Sequence, residues 1–285
     1  MSATGSPIAR RRELGSMLRS LRADTGLTTE EVAEWLGVSR SKVSRLENGR
    51  RGASKADIAR LCELYQVDDV RRLRLTELAA GGKERAWWQR LNLTYGDYVG
   101  LEAEAESISD YGLALVPGLL QTPDYARALV RGGGLALSPE IVEERVQARI
   151  TRQRLLSSPA APTFEAVLDE SVLHRVVGSP SVMQAQLTQL LEISKLPNVT
   201  IRVVPFDAGL VLSGVNKFII LRFALTDIPD IVFVEDLTVD RYLEEGGEVE
   251  IYNATFQRLM DMSADPEASR AMILAKTTAY ELRTR

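Results

Sequence analysis

The 285-residue sequence contains one cysteine and one histidine. Cys62 has no second thiol for an internal disulfide, and His174 beside it is too little for the three or four protein ligands of a zinc site. Aromatic residues are also scarce, at 6%. No run of 18 apolar residues occurs and mean hydropathy is −0.08, so no segment is long enough to span a bilayer as a helix. The opening MSATGSPIARRR lacks the apolar stretch of a secretory signal, so a soluble cytoplasmic protein is expected. The phosphate-binding, dinucleotide-binding, serine-hydrolase and zinc-protease signatures G-x-x-x-x-G-K-[ST], G-x-G-x-x-G, G-x-S-x-G and H-E-x-x-H are all missing. No cofactor, metal or catalytic residue is therefore expected, and an enzyme is the least favoured class.

Apolar residues make up 45% and charged residues 26%, a composition that builds packed cores rather than a disordered tail. The length suggests two domains. Taken as a total, a net charge of −4 with pI near 5.4 argues against nucleic acid. The average hides a division. Residues 1–75 carry 15 Lys and Arg against 10 Asp and Glu, or +5, while the remainder carries 20 against 29, or −9. Partners are better read from such asymmetry than from the total.

The basic segment reads as five short helices. Leu14, Met17, Leu18 and Leu21 repeat at the spacing of one buried stripe, and Gly26 stops that helix. Thr28 or Thr29 caps the second, with Glu30 and Glu31 in its first turn and Val32, Ala33 and Leu36 inward. Gly37 breaks it, and Ser39 caps a third helix with Val43 and Leu46 inward. Ser54 caps a fourth, which buries Ile58, Leu61, Cys62 and Tyr65. Leu73, Leu75 and Leu78 mark a fifth. Two helices crossing steeply through a short turn need a small residue where they touch, Ala33, and a residue free to take positive φ, Gly37. Val43 and Leu46 then pin the back of the third helix. Arg40, Ser41, Lys42, Ser44 and Arg45 are left facing out, where such side chains can bond base edges or phosphates in a major groove. The Arg10-Arg11-Arg12 run either reaches DNA or is the solvated start of the first helix.

The segment LRSLRADTGLTTEEVAEWLGVSRSKVSRLENGRRGASKADIARLCELYQVD resembles the DNA-binding domain of Cro-repressor-type regulators, the XRE family. The resemblance implies that the third helix reads double-stranded DNA, with Arg40, Ser41 and Arg45 at base-contacting positions. Thr29, Lys42, Asn48 and Arg50 fall where phosphate contacts are made, although Thr29 is shorter than the glutamine common there. Glu47 orients neighbouring groups, because a carboxylate repels phosphate. One small reader binds weakly, so a homodimer on a two-fold-related site is expected.

Further along, an aromatic stripe of Trp87, Trp88, Leu91, Tyr95 and Tyr98 reads as helix packing rather than a ligand cage. Helix starts are marked by a cap followed by proline at Thr122-Pro123, Ser138-Pro139, Ser179-Pro180 and Asp265-Pro266. Strand-like runs cover 107–115, 163–168, 199–205, 217–224 and 231–235, and closing helices cover 249–262 and 266–282. Gly132-Gly133-Gly134 reads as a helix stop. Glu165, Asp169 and Glu170 read as a solvated strand edge rather than acid–base machinery, and His174 as structural. The expected architecture is an all-α five-helix helix-turn-helix domain over residues 1–80, then an α+β effector domain over 81–285.

The stretches LVPGLLQTPDYARAL and FEAVLDESVLHRVVGSPSVMQAQLTQLLEISKLPNVTIRVVPFDAG, with YVGLEAEA, resemble the effector domain of unknown function of WhiJ-like bacterial regulators. That resemblance implies a transcription factor, repressor-like, paired with a small adjacently encoded protein in an antitoxin-like or developmental module. Gln184 and Gln189 stand where arginines are common in that group. The GLLQT turn between Pro117 and Pro123 has two readings. Leu119 and Leu120 either plug the core or form part of a partner-binding groove. Gating by a small-molecule ligand is the alternative to gating by a protein.

Overall fold

The computed structural model describes residues 7–49, 52–81, 96–134, 137–209, 216–224, 229–235 and 240–284. They form two compact units, one ending at Glu104 and the other beginning at Ala105. No helix among them is long and apolar enough to cross a membrane.

The first unit holds α1 (Pro7–Asp24), α2 (Thr29–Leu36), α3 (Arg40–Glu47), α4 (Lys55–Leu64), α5 (Asp69–Gly81) and α6 (Gly96–Glu102). One core draws Leu14, Leu18 and Leu21 from α1, Val32, Ala33 and Leu36 from α2, Val43 and Leu46 from α3, and Ile58, Leu61 and Cys62 from α4. Leu75 and Leu78 join it from α5, whereas Leu73 is 63% exposed and Val70 81%. The choice between two caps for α2 falls on Thr28. Its hydroxyl accepts from Glu31 N, and the Glu31 carboxylate accepts from Thr28 N in return. Gly37 then closes α2 at φ +64°, its N–H reaching back to the last turn. Arg11 and Arg12 are not a solvated run, because Arg12 is buried against Gly49 and Arg11 is half-buried. The Trp87, Trp88, Leu91 and Tyr95 positions lie outside the described residues. Tyr98 is buried in α6 and donates to Glu102.

The second unit is α+β. Its strands are β1 (Ser107–Gly112), β2 (Thr163–Asp169), β3 (Val199–Val204), β4 (Phe218–Arg222), β5 (Ile231–Val234) and β6 (Arg241–Leu243), in the order β3-β2-β1-β4-β5-β6. β1, β2 and β3 run parallel through helical crossovers, and β4, β5 and β6 extend the sheet antiparallel. The crossovers contain α7 (Pro123–Gly132) and α8 (Pro139–Gln153), then α9 (Ser171–His174) and α10 (Pro180–Ile193). All three of these Ser/Thr-Pro starts are used, each hydroxyl accepting a first-turn N–H. The chain closes with α11 (Gly246–Met262) and α12 (Pro266–Thr284). Val249, Phe256 and Leu259 of α11 cover Tyr111, Val167, Val204, Phe218 and Ile220. The outer side of edge strand β3 is sealed, because Val203 N donates to Ser269 Oγ at 2.9 Å and Ala264 N to Val203 O at 2.9 Å.

β2 lies between β1 and β3, so the strand-edge reading of its acidic residues is corrected. Asp169 accepts from Ser171 N, and Glu170 from Phe206 N. Glu165 is half-buried between Ser109 and Thr200 in register. His174 links three segments. Lys276 Nζ lies 3.0 Å from its Nδ1, Glu170 lies 3.2 Å from its Nε2, and the Phe206 ring stands 5.3 Å away. An ammonium only donates, so Nδ1 accepts and Nε2–H points to the carboxylate.

The PGLLQT turn is held by glutamines. Leu119 and Leu120 sit in a 3-10 turn and are 2% and 0% exposed. This corrects the groove reading: both leucines plug the core and neither is presented to a partner. Gln186, fully buried on α10, donates to Leu120 O at 2.7 Å and accepts from Thr122 N at 2.7 Å. Gln121 donates to Val116 O, and Gln153 to Gly118 O. Gln186→Leu keeps the apolar volume but orphans a buried donor and a buried acceptor. Thermal or urea unfolding of the second unit is expected to show a loss of about 2 kcal/mol.

Candidate nucleic-acid interface

α3 is an eight-residue helix started by Ser39, whose hydroxyl accepts from Lys42 N. Its back is the buried trio Val43, Leu46 and Glu47. Its front exposes Arg40, Ser41 and Arg45. The three expected base-contacting side chains therefore share an open face. Arg45 Nε is 3.1 Å from Ser41 O, which lays that side chain along the helix. Arg40 Nε is 2.8 Å from Glu30 Oε1 on α2, and both side chains are exposed.

The expected phosphate-contacting set is spread differently. Lys42 is half-buried and turned towards α4, with Nζ 3.0 Å from Asp57 Oδ1. Asp57 also accepts from Ser54 N and Ser54 Oγ caps Asp57 N, so this aspartate starts α4 and braces α3. Burial pushes its carboxyl up, but the Lys42 and Ser54 bonds outweigh this and hold it below the usual aspartate range. Thr29 Oγ1 donates to Glu30 at 2.8 Å. Asn48 ends α3, half-buried, and accepts from Arg19 of α1. Arg50 lies outside the described residues.

Glu47 does what its sign suggests. Its carboxylate is 6% exposed and takes both arms of Arg22 at 2.7 and 2.9 Å. Arg22 donates further to Leu27 O at 3.0 Å. The hydrogen bond that Arg22 donates to Glu47 raises the guanidinium pKa, and burial followed by the Glu47 charge raises that of the Tyr65 hydroxyl. α1 and α3 also meet through glycine. A Cβ on Gly15 would lie 2.6 Å from Glu47 O and 2.8 Å from Leu46 O. Gly49, at φ +64°, faces the Arg12 backbone.

Sequence reading thus found the exposed face but missed its braces, Glu30, Asp57, Arg22, Arg19 and Gly15. Two of them carry a local signal, Asp57 in the Ser54-x-x-Asp57 capping pattern and Gly15 as a glycine inside an amphipathic helix. Among the described residues no group of three or more His, Cys, Asp and Glu side chains could hold a metal.

Residues 13–75 match the family model described as Helix-turn-helix domain. The HTH-type transcriptional repressor RghR of Bacillus subtilis (strain 168) is 43% identical over 54 residues, 19% of this chain and 40% of that protein. The chain therefore spans less than half the length of that relative. The ImmF control region 10 kDa protein of Bacillus phage phi105 is 33% identical over 78 residues, 26% of this chain and 86% of that protein. No solved structure matches. Residues 95–275, more than half of the chain, match the Domain of unknown function (DUF5753), and the chain belongs to that family, with a helix-turn-helix domain ahead of it.

Proposed function

We propose that this protein is a sequence-specific DNA-binding transcriptional regulator that places α3 in the major groove. Residues 1–80 are the reader and residues 81–285 the effector part. One observation carries the reading. α3 is pinned at its back by Val43, Leu46 and Glu47 while Arg40, Ser41 and Arg45 stand together on its open face. Arg40 and Arg45 suit the acceptor pair of guanine, and Ser41 suits either donors or acceptors. Lys42, Asn48 and Arg50 serve the phosphates, Lys42 by exchanging Asp57 for a phosphate oxygen, whereas the Thr29 hydroxyl is already given to Glu30. The relatives named as a transcriptional repressor and as a phage control-region protein support regulation as the output.

The protein works as a homodimer, because two readers about 34 Å apart meet successive major grooves on one face of the duplex. Gating acts through the second unit by a small protein partner. The −9 balance of the chain beyond residue 75 favours a basic one.

The test starts from duplexes enriched by the wild-type protein from a randomised library, with a scrambled duplex of equal length as the control. Arg40→Ala is expected to cut the preference for the enriched duplex about tenfold or more. Lys42→Ala weakens both duplexes alike and flattens the salt dependence. Equal losses on both duplexes for Arg40→Ala would remove the base-reading assignment. Occupancy changed by small molecules, and untouched by a co-expressed neighbouring protein, would replace the partner reading with ligand gating.

A further inference from the structure

A carboxylate beside a DNA-reading helix needs a reason, since it opposes the phosphates that hold the protein to its target. Glu30 is such a group. It is not the capping glutamate of α2, a role taken by Glu31. It contributes nothing to the core, being exposed at the first turn of α2. Its ion pair with Arg40 is exposed on both sides, with side-chain exposures of 71% and 55%. Pairs of that kind add little to stability.

Its hydrogen bond with Thr29 and its ion pair suggest another use. Thr29 Oγ1 donates to Glu30 Oε2 at 2.8 Å, and Arg40 Nε meets Glu30 Oε1 at 2.8 Å. Each carboxylate oxygen thus has its own partner, one on α2 and one on α3. The Thr29 hydrogen bond, then one from the backbone of Glu30, hold this carboxyl below the usual range, with a smaller contribution from Arg40. It stays ionised wherever DNA binding is measured near neutral pH. Arg40 is engaged through Nε, the nitrogen nearest its stem. The two terminal nitrogens of a guanidinium held in this way remain as a fork, the edge that meets O6 and N7 of guanine.

We propose that Glu30 is a specificity-determining residue of this reader. It fixes the Arg40 fork for a guanine edge and at the same time penalises contacts that satisfy only phosphate. Thr29 supports the device by steadying Glu30, a use for its hydroxyl that differs from the phosphate contact expected at that position. The inference deepens the DNA-reading proposal and rests on it. A free Arg40 would settle on any nearby phosphate and would lose rotamer freedom when it found a base. A braced Arg40 loses less on the right sequence. On the wrong sequence it leaves a carboxylate facing the polyanion.

The experiment compares wild type, Glu30→Gln, Arg40→Ala and the double variant in the full-length chain, on the library-enriched duplex and a scrambled duplex. Dissociation constants are measured by fluorescence anisotropy at several salt concentrations. Glu30→Gln is expected to tighten scrambled-duplex binding about threefold. It should reduce the ratio between the two duplexes about tenfold. In the Arg40→Ala background it should leave the ratio unchanged within twofold, because its action on sequence passes through Arg40. The melting temperature should move by no more than the few degrees that one exposed first-turn charge accounts for, which separates positioning from a folding role. A ratio unchanged in Glu30→Gln overturns the proposal, as does an equal drop with and without Arg40. A wild-type chain that enriches no duplex overturns the DNA reading itself, and the proposal falls with it.

Discussion

Gly15→Ala is expected to destabilise the first unit by about 2–3 kcal/mol, although it places a better helix former inside a helix. On propensity alone, alanine in mid-helix should gain about 1 kcal/mol. Packing decides otherwise. The added methyl would stand 2.6 Å from Glu47 O and 2.8 Å from both Leu46 O and Gly49 N. These are backbone atoms at the end of α3, and no rotamer change can move them. α1 would have to withdraw from α3, dragging Leu14 and Leu18 off the shared core. The change also tilts the helix that presents Arg40 and Arg45, so DNA binding should fall with stability. Amide hydrogen exchange of the full-length chain reads the effect directly, through faster exchange in α1 and α3. Gly132→Ala is the control, since nothing lies within 4 Å of its Cβ position. Slower exchange in α1 and α3 for Gly15→Ala would mean that the helices have room to spare and that the close approach is wrong.

The contrast between what sequence reading found and what it missed follows the range of each interaction. Helix starts were legible because a cap acts over three residues: Ser39, Ser54, Thr122, Ser138 and Ser179 all accept the first-turn N–H they were expected to take. The exposed face of α3 was legible for the same reason, as Arg40, Ser41 and Arg45 follow from the angle around one helix. Leu73, Leu75 and Leu78 marked the helix but do not share a face, because Leu73 lies about 200° around α5 from Leu75, on the opposite side from the core. β6 was missed because three residues, RYL, carry no periodic pattern and become a strand only by pairing with β5. The braces of the site were illegible because each spans two helices. Arg22 and Glu47 stand 25 residues apart, Lys42 and Asp57 15. Asp57 and Gly15 left a trace each, the first in its capping pattern with Ser54, the second because a glycine inside an amphipathic helix carries a cost that close packing explains.

Glu47→Ala is expected to cost about 2–3 kcal/mol and to weaken DNA binding strongly at physiological temperature. The substitution leaves the Arg22 guanidinium half-buried, with only Leu27 O accepting from it among the bonds it makes now. A charge held half out of water without its partner costs more than a missing attraction. The neighbourhood is apolar enough for burial to raise the pKa of the adjacent Tyr65 hydroxyl, so solvent cannot easily replace the carboxylate. Glu47→Gln should fall between wild type and alanine, because its amide still accepts one of the two arms. The informative variant is the double replacement Arg22→Met with Glu47→Met. It removes both charges, retains most of the volume and should recover much of the stability lost in Glu47→Ala. If the pair served stability alone, that recovery would restore DNA binding in step. The bidentate bond also fixes how α3 turns against α1, and a methionine pair has no comparable directionality. The double variant is therefore expected to melt near wild type and yet to bind the enriched duplex less tightly. Chemical denaturation and anisotropy titration on the same samples separate the two effects. A double variant that is folded and binds DNA as wild type does would show that Glu47 is only a fold-stabilising charge.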